Sequence, residues 1–153
     1  MTYKVSYWDS EAGQMAERDA TTEEAAEIDS RIAGALGSSR ANRWLEIKAL
    51  RDAKTQSGGY QVAGKWYHSD TFSRTQQLGL VMLGASIPAG LQWKTMDGSF
   101  VTMTQSLAAQ VFAAAAAQDI AVFSRAEVLR AQVNASSDPG SIDITTGWPA
   151  TYT

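Results

Sequence analysis

The sequence predicts an α+β fold: an N-terminal β-hairpin and helical arm, then a small domain of β-hairpins packed on helices, with a long alanine-rich helix towards the C-terminus. Three observations carry this. Short alternating runs are broken by turn residues at Asp9–Gly13, Ala63–Gly64 and Asp97–Gly98. Thr21 and Glu24 form a capping box that opens a helical stretch. Beyond Thr104 the apolar residues recur at alternating spacings of four and three, the repeat of a helical seam.

Taken in order, Tyr3, Val5 and Tyr7 alternate with Lys4, Ser6 and Trp8, which predicts a strand, and Gln14–Asp19 is its return. An isolated two-stranded hairpin is marginal in water, so this one is expected to dock on the following helix or on another chain. Glu23, Glu24 and Glu27 crowd the first turns of that helix, where its dipole favours anions. Ile28, Ile32, Ala35 and Leu36 extend an apolar face, whereas Gly34 and Gly37-Ser38-Ser39 weaken or end the helix. A second stretch, Ala41 to Lys54, places Trp44, Leu45, Ile47 and Leu50 among Arg40, Arg43, Lys48, Arg51 and Lys54. Two arrangements fit: an antiparallel helical hairpin, or one kinked helix. The basic row reads as the solvated face of an amphipathic helix more readily than as a phosphate-binding face.

Gln56-Ser57-Gly58-Gly59 reads as a linker, dividing the chain into an arm over 1–57 and a C-terminal domain over 58–153. Around the Gly64 turn, Tyr60, Val62, Trp66 and His68 are expected on one side and Lys65 and Tyr67 on the other. Asp70 or Ser69 caps a helix over Thr71–Gly84, whose stripe of Phe72, Thr75, Leu78 or Gly79, Met82 and Leu83 is expected to pack on the sheet. After a turn at Ile87–Gly90, Leu91, Trp93 and Thr95 alternate towards a two-residue Asp97-Gly98 turn and a return strand over Phe100–Met103. Thr104 caps the last helix, which runs to about Ala135 with a seam of Ala108, Phe112, Ala115, Asp119, Val122, Ala126, Leu129 and Val133. A carboxylate within a buried seam needs a partner, so Asp119 favours packing within the chain; self-association along the alanine-rich face stays open. The tail carries Ile142, Ile144, Trp148 and Tyr152 and is expected to dock.

Composition narrows the functional classes. The 153 residues suffice for one ordinary domain with appendages, and a hydrophobic share of 44% supports a folded core. A net charge of −3 argues against binding nucleic acid through phosphate neutralisation. The absence of cysteine removes disulfides and thiolate chemistry. No secretory signal opens the chain, and Leu107–Ala117 is too short and alanine-rich to span a bilayer, so no membrane insertion is expected.

The residues offer little chemistry. His68, beside Ser69 and Asp70, reads as a strand-end histidine next to a helix cap, since adjacency along the chain does not build a triad. Metal binding there would need further ligands, of which Asp97 is the nearest in view. No glycine cluster has the spacing of a phosphate-binding loop. No catalytic residue, cofactor or metal is therefore expected. Trp66, Tyr67 and Trp93 read either as core aromatics or as an aromatic surface for stacking a sugar. Tyr3, Val5, Tyr7, Trp8, Trp148 and Tyr152 are the candidate partner-binding residues.

The run Trp66-Tyr67-His68-Ser69-Asp70, then Ser73-Arg74-Thr75-Gln76, Pro88-Ala89-Gly90, Trp93-Lys94-Thr95-Met96-Asp97-Gly98 and Met103-Thr104, resembles a phage tail-associated domain of unknown function found in tailed phages and prophages. The likeness extends from about Gly59 to about Trp148, and Tyr3 to Asp29, with Arg18-Asp19-Ala20-Thr21 followed by Glu23-Glu24, looks like the start of short phage tail-fibre-region proteins. The resemblance implies a non-enzymatic structural or adaptor protein of a bacteriophage tail, partnered by a tail-fibre or baseplate protein. It implies a location in the virion tail, and in the host cytoplasm during assembly. A tail-fibre assembly chaperone and a carbohydrate-binding receptor module are the alternatives.

Overall fold

A computed structural model describes residues 2–153 and has the α+β architecture. Strands β1 (Lys4–Asp9) and β2 (Gln14–Asp19) form a hairpin, followed by one continuous 36-residue helix, α1 (Thr22–Ser57). A second hairpin, β3 (Tyr60–Val62) with β4 (Lys65–Tyr67), leads into α2 (Thr71–Leu83). A third, β5 (Gln92–Lys94) with β6 (Phe100–Thr102), leads into the 31-residue α3 (Gln105–Ala135). Each sheet has two antiparallel strands, so the body is held by helices and loops more than by a shared sheet.

The local signals explain the element starts. Thr21 accepts from the Glu24 amide while the Glu24 carboxylate accepts from the Thr21 amide, closing the capping box. Asp70 accepts from the Ser73 amide at 2.9 Å, and Thr104 from the Leu107 amide at 3.1 Å.

Several expectations are corrected. Of the two arrangements open for the first helical region, the helical hairpin is overturned: α1 runs unbroken through Gly34–Ser39. Two glycines cost a helix only about 1 kcal/mol each relative to alanine, and just beyond them the body takes hold of α1. Arg40 donates to the Ser136 carbonyl at 3.0 Å, and Arg43 donates to the Ile142 carbonyl. The Gln56–Gly59 segment is a packed joint: the Gly59 amide donates to Ser69 Oγ at 3.0 Å, and the Tyr152 amide donates to the Gly58 carbonyl at 2.8 Å. The boundary expected at 57/58 thus falls inside packed structure, and α1 leaves the body near Ala35. In the second hairpin, Ala63 and Gly64 both have positive φ and form a tight two-residue turn, which pairs Tyr60 with Tyr67 and puts both on the core face. In the third, Thr95 pairs with Ser99, leaving a three-residue loop that ends in Gly98 at φ 81°.

Helix α2 is the largest departure, because its apolar stripe faces outward. Phe72 and Met82 are 72% and 80% exposed, while Gln77 and Leu80 take the core positions. Gln77 belongs there because it is satisfied: it accepts from the Tyr60 hydroxyl and donates to the His68 carbonyl.

Two core clusters meet along α3. Towards its start, Ala108, Val111 and Ala115 pack with Tyr60, Tyr67, Leu80 and Met103. Towards its end, Ala126, Leu129 and Val133 pack with Ile47 of α1 and Ile144 of the tail. The seam read from sequence is therefore filled from within the chain, with Val111 taking the place expected of Phe112. Asp119 finds the partner that burial requires: Arg74 of α2 grips it bidentately at 2.6 and 2.8 Å. Arg74 also donates to the Ser69 and Thr55 carbonyls and lies 5.6 Å from the Tyr60 ring centre. One guanidinium thereby ties α1, β3, α2 and α3 together. Taken whole, α3 has the length and hydropathy of a membrane span, with a mean of 1.4 over 18 residues, but α1, α2 and β3 occupy one side of it.

Candidate functional site

The feature with the least structural employment is the arm. Residues 22–34 of α1 extend about 20 Å at 1.5 Å per residue before the body is reached, and among the described residues it is the hairpin that bonds to them. The hairpin is fastened to that helix end at two points: the Tyr3 hydroxyl donates to Asp29, and Arg18 grips Glu24 at 2.7 and 2.8 Å. The Ala20 amide, donating to the Tyr3 carbonyl at 2.9 Å, closes the open end of the hairpin itself. The Arg18 guanidinium and the Thr21 amide hold the Glu24 carboxyl down at about 2.

Register decides what the hairpin displays. Its turn is set by Asp9, whose carboxylate accepts from the Glu11 and Ala12 amides at 3.0 Å each, with Gly13 at φ 64°. That turn pairs Trp8 with Met15 and Tyr7 with Ala16. Tyr3, Val5 and Tyr7 share one face, on which Tyr3 and Val5 are half-buried. Trp8 lies on the other, 62% exposed beside Met15 at 61%. Met15 escaped the sequence reading, although counting back across the Asp9–Gly13 turn identifies it as the cross-strand neighbour of Trp8.

The remaining candidate residues are placed elsewhere. Trp148 and Tyr152 fasten the tail to the body: Trp148 packs against the second core cluster, the Tyr152 amide donates to the Gly58 carbonyl at 2.8 Å, and the Tyr152 ring lies 6.2 Å from that of Trp66. They share no surface with the hairpin aromatics. Trp66, Tyr67 and Trp93 do not form one platform. Tyr67 is 1% exposed, its hydroxyl pushed up by burial, and Trp93 packs against the first core cluster. The basic row of α1 is spent on structure. Beyond the carbonyl contacts of Arg40 and Arg43, Arg51 stacks 4.8 Å from Phe123 and Lys54 lies 6.0 Å from Trp148.

Asp70 caps α2, and the Ser73 hydroxyl and amide hold its carboxyl below the ordinary range. Ser69 is 3% exposed and accepts from the Gly59 amide, so the His68-Ser69-Asp70 run is arranged as a helix entry. Burial pushes the Tyr60 hydroxyl up to about 12. Among the described residues, no group of three or more His, Asp or Glu is gathered in a way that suits a metal ion.

No curated protein and no solved structure matches the chain. Residues 38–146 match a domain of unknown function (DUF4376), a span that begins close to where α1 enters the body and leaves the hairpin and the projecting helix outside it. On a match covering well over half of its length, the chain belongs to the DUF4376 family.

Proposed function

We propose that the protein is a structural or adaptor component of a bacteriophage tail, docking through its N-terminal arm onto a tail-fibre or baseplate protein while the helical body supplies the mount. The observation that carries this reading is the arm: a helix with little cover, tipped by a two-stranded hairpin whose Trp8–Met15 pair faces solvent. Isolated hairpins and short unsupported helices are both marginal in water. Such an arm gains most of its stability on a partner, and a paired Trp and Met is the adaptable apolar surface a partner uses. The phage assignment rests on the sequence resemblance.

The test is co-purification of the full chain with the product of the adjacent tail-fibre gene, with and without Trp8→Ala and Met15→Ala. The double variant keeps the body and loses the partner. Retained binding at unchanged affinity refutes docking through the arm. Mass spectrometry of purified virions, finding the chain in fixed ratio to the fibre, supports a resident component; its absence assigns an assembly chaperone.

A further inference from the structure

We propose that the groove between the start of α2 and strand β5 is a binding site for an acidic sugar unit, a pyranose bearing a carboxylate. The groove holds about 430 Å³, within the range of small-molecule sites, and its lining includes His68, Phe72, Gln76, Trp93 and Lys94 but no aspartate or glutamate.

Lys94 sets this groove apart. The chain has thirteen lysines and arginines. Eight pair with carboxylates. Arg40 and Arg125 donate to backbone carbonyls, and Lys48 and Lys54 lie over tryptophan rings. Lys94 alone among the described residues has neither a carboxylate, a carbonyl nor a ring as partner.

The other lining groups complete the chemistry. The Phe72 ring, 72% exposed, is a flat apolar face on which the C–H side of a pyranose stacks. Gln76 and the His68 imidazole make no side-chain hydrogen bonds within the described protein and are free to meet hydroxyls. One cation, one stacking face and one free amide in a concavity of this size match a single sugar unit better than an extended peptide, which needs a longer trough. This site is separate from the arm, and its failure leaves the docking reading intact.

The test is saturation-transfer NMR on the full chain with glucuronate, glucose, acetate and an acidic dipeptide as probes. Glucuronate is expected to receive saturation at its ring protons and to bind about tenfold more tightly than glucose, the scale of one charge-assisted contact. Lys94→Gln should bring the two sugars level, and Phe72→Ala should abolish transfer to both; each side chain is exposed, so the fold survives and circular dichroism confirms it. No transfer to either sugar overturns the proposal. So does an acid preference that persists in Lys94→Gln, acetate binding as tightly as glucuronate, or an acidic dipeptide binding more tightly than the sugar.

Discussion

Replacing Asp119 with alanine tests how the body is held. The change removes two charge-assisted bonds, at 2.6 and 2.8 Å, from a pair whose side chains are 27% and 31% exposed. Breaking a fully buried pair costs about 3–5 kcal/mol, and an exposed pair contributes about 0–1. The intermediate exposure, with Arg74 keeping its bonds to the Ser69 and Thr55 carbonyls, places the loss at about 1.5–3 kcal/mol. For a chain of this size that is a fall in Tm of roughly 3–12 °C. Arg74→Met should cost more, because it also releases both carbonyls and the Tyr60 ring. Urea denaturation of the two single variants and the double variant gives the coupling, expected at about 1–2 kcal/mol. A cost under about 0.5 kcal/mol for Asp119→Ala, or strict additivity of the two changes, refutes the tie between α2 and α3.

Three further outcomes follow from particular residues. An alanine Cβ at Gly34 meets nothing within 4 Å, so Gly34→Ala should slow amide exchange along the projecting part of α1, by about 1 kcal/mol of helix propensity, and leave the body's unfolding midpoint unchanged. Gly59→Ala should lower stability by about 1–3 kcal/mol in denaturant titration, since Gly59 has φ 69° and a Cβ there would strike Met96 Sδ and lie 3.0 Å from the Tyr67 carbonyl. The Glu24 carboxyl is depressed from 4.5 to about 2 in the folded arm, so its contribution is complete above pH 4.5 and is lost as pH falls towards 2. NMR of the Thr21 and Glu24 amides should show the cap fraying across that window, and Glu24→Gln should abolish the transition.

What the sequence discloses here is what is decided locally. The capping box at Thr21–Glu24, the Asp70 and Thr104 caps, the Ala63-Gly64 turn and the α3 seam each depend on residues within a turn or two of one another. The demand that Asp119 have a partner was legible as well, but the identity of Arg74, 45 residues away, was not. Helix α2 misled because Phe72, Met82 and Leu83 look like a core stripe, whereas the core position goes to Gln77 once Tyr60 and His68 satisfy its amide. The continuity of α1 depends on carbonyls of Ser136 and Ile142, supplied from nearly a hundred residues downstream. At the arm, Trp8 was readable and Met15 needed only the register; the distinction between Trp8 as free and Trp148 as fastened needed the tail's path.

Hydrogen exchange along α1 in the isolated full chain tests the central claim that a lightly supported arm projects from a packed body. Amides from Arg40 to Ser57 should be protected to the level of the global unfolding free energy, and those from Thr22 to Gly34, with the hairpin, should exchange through local opening. Protection uniform from Thr22 to Ser57 in the monomer contradicts the account.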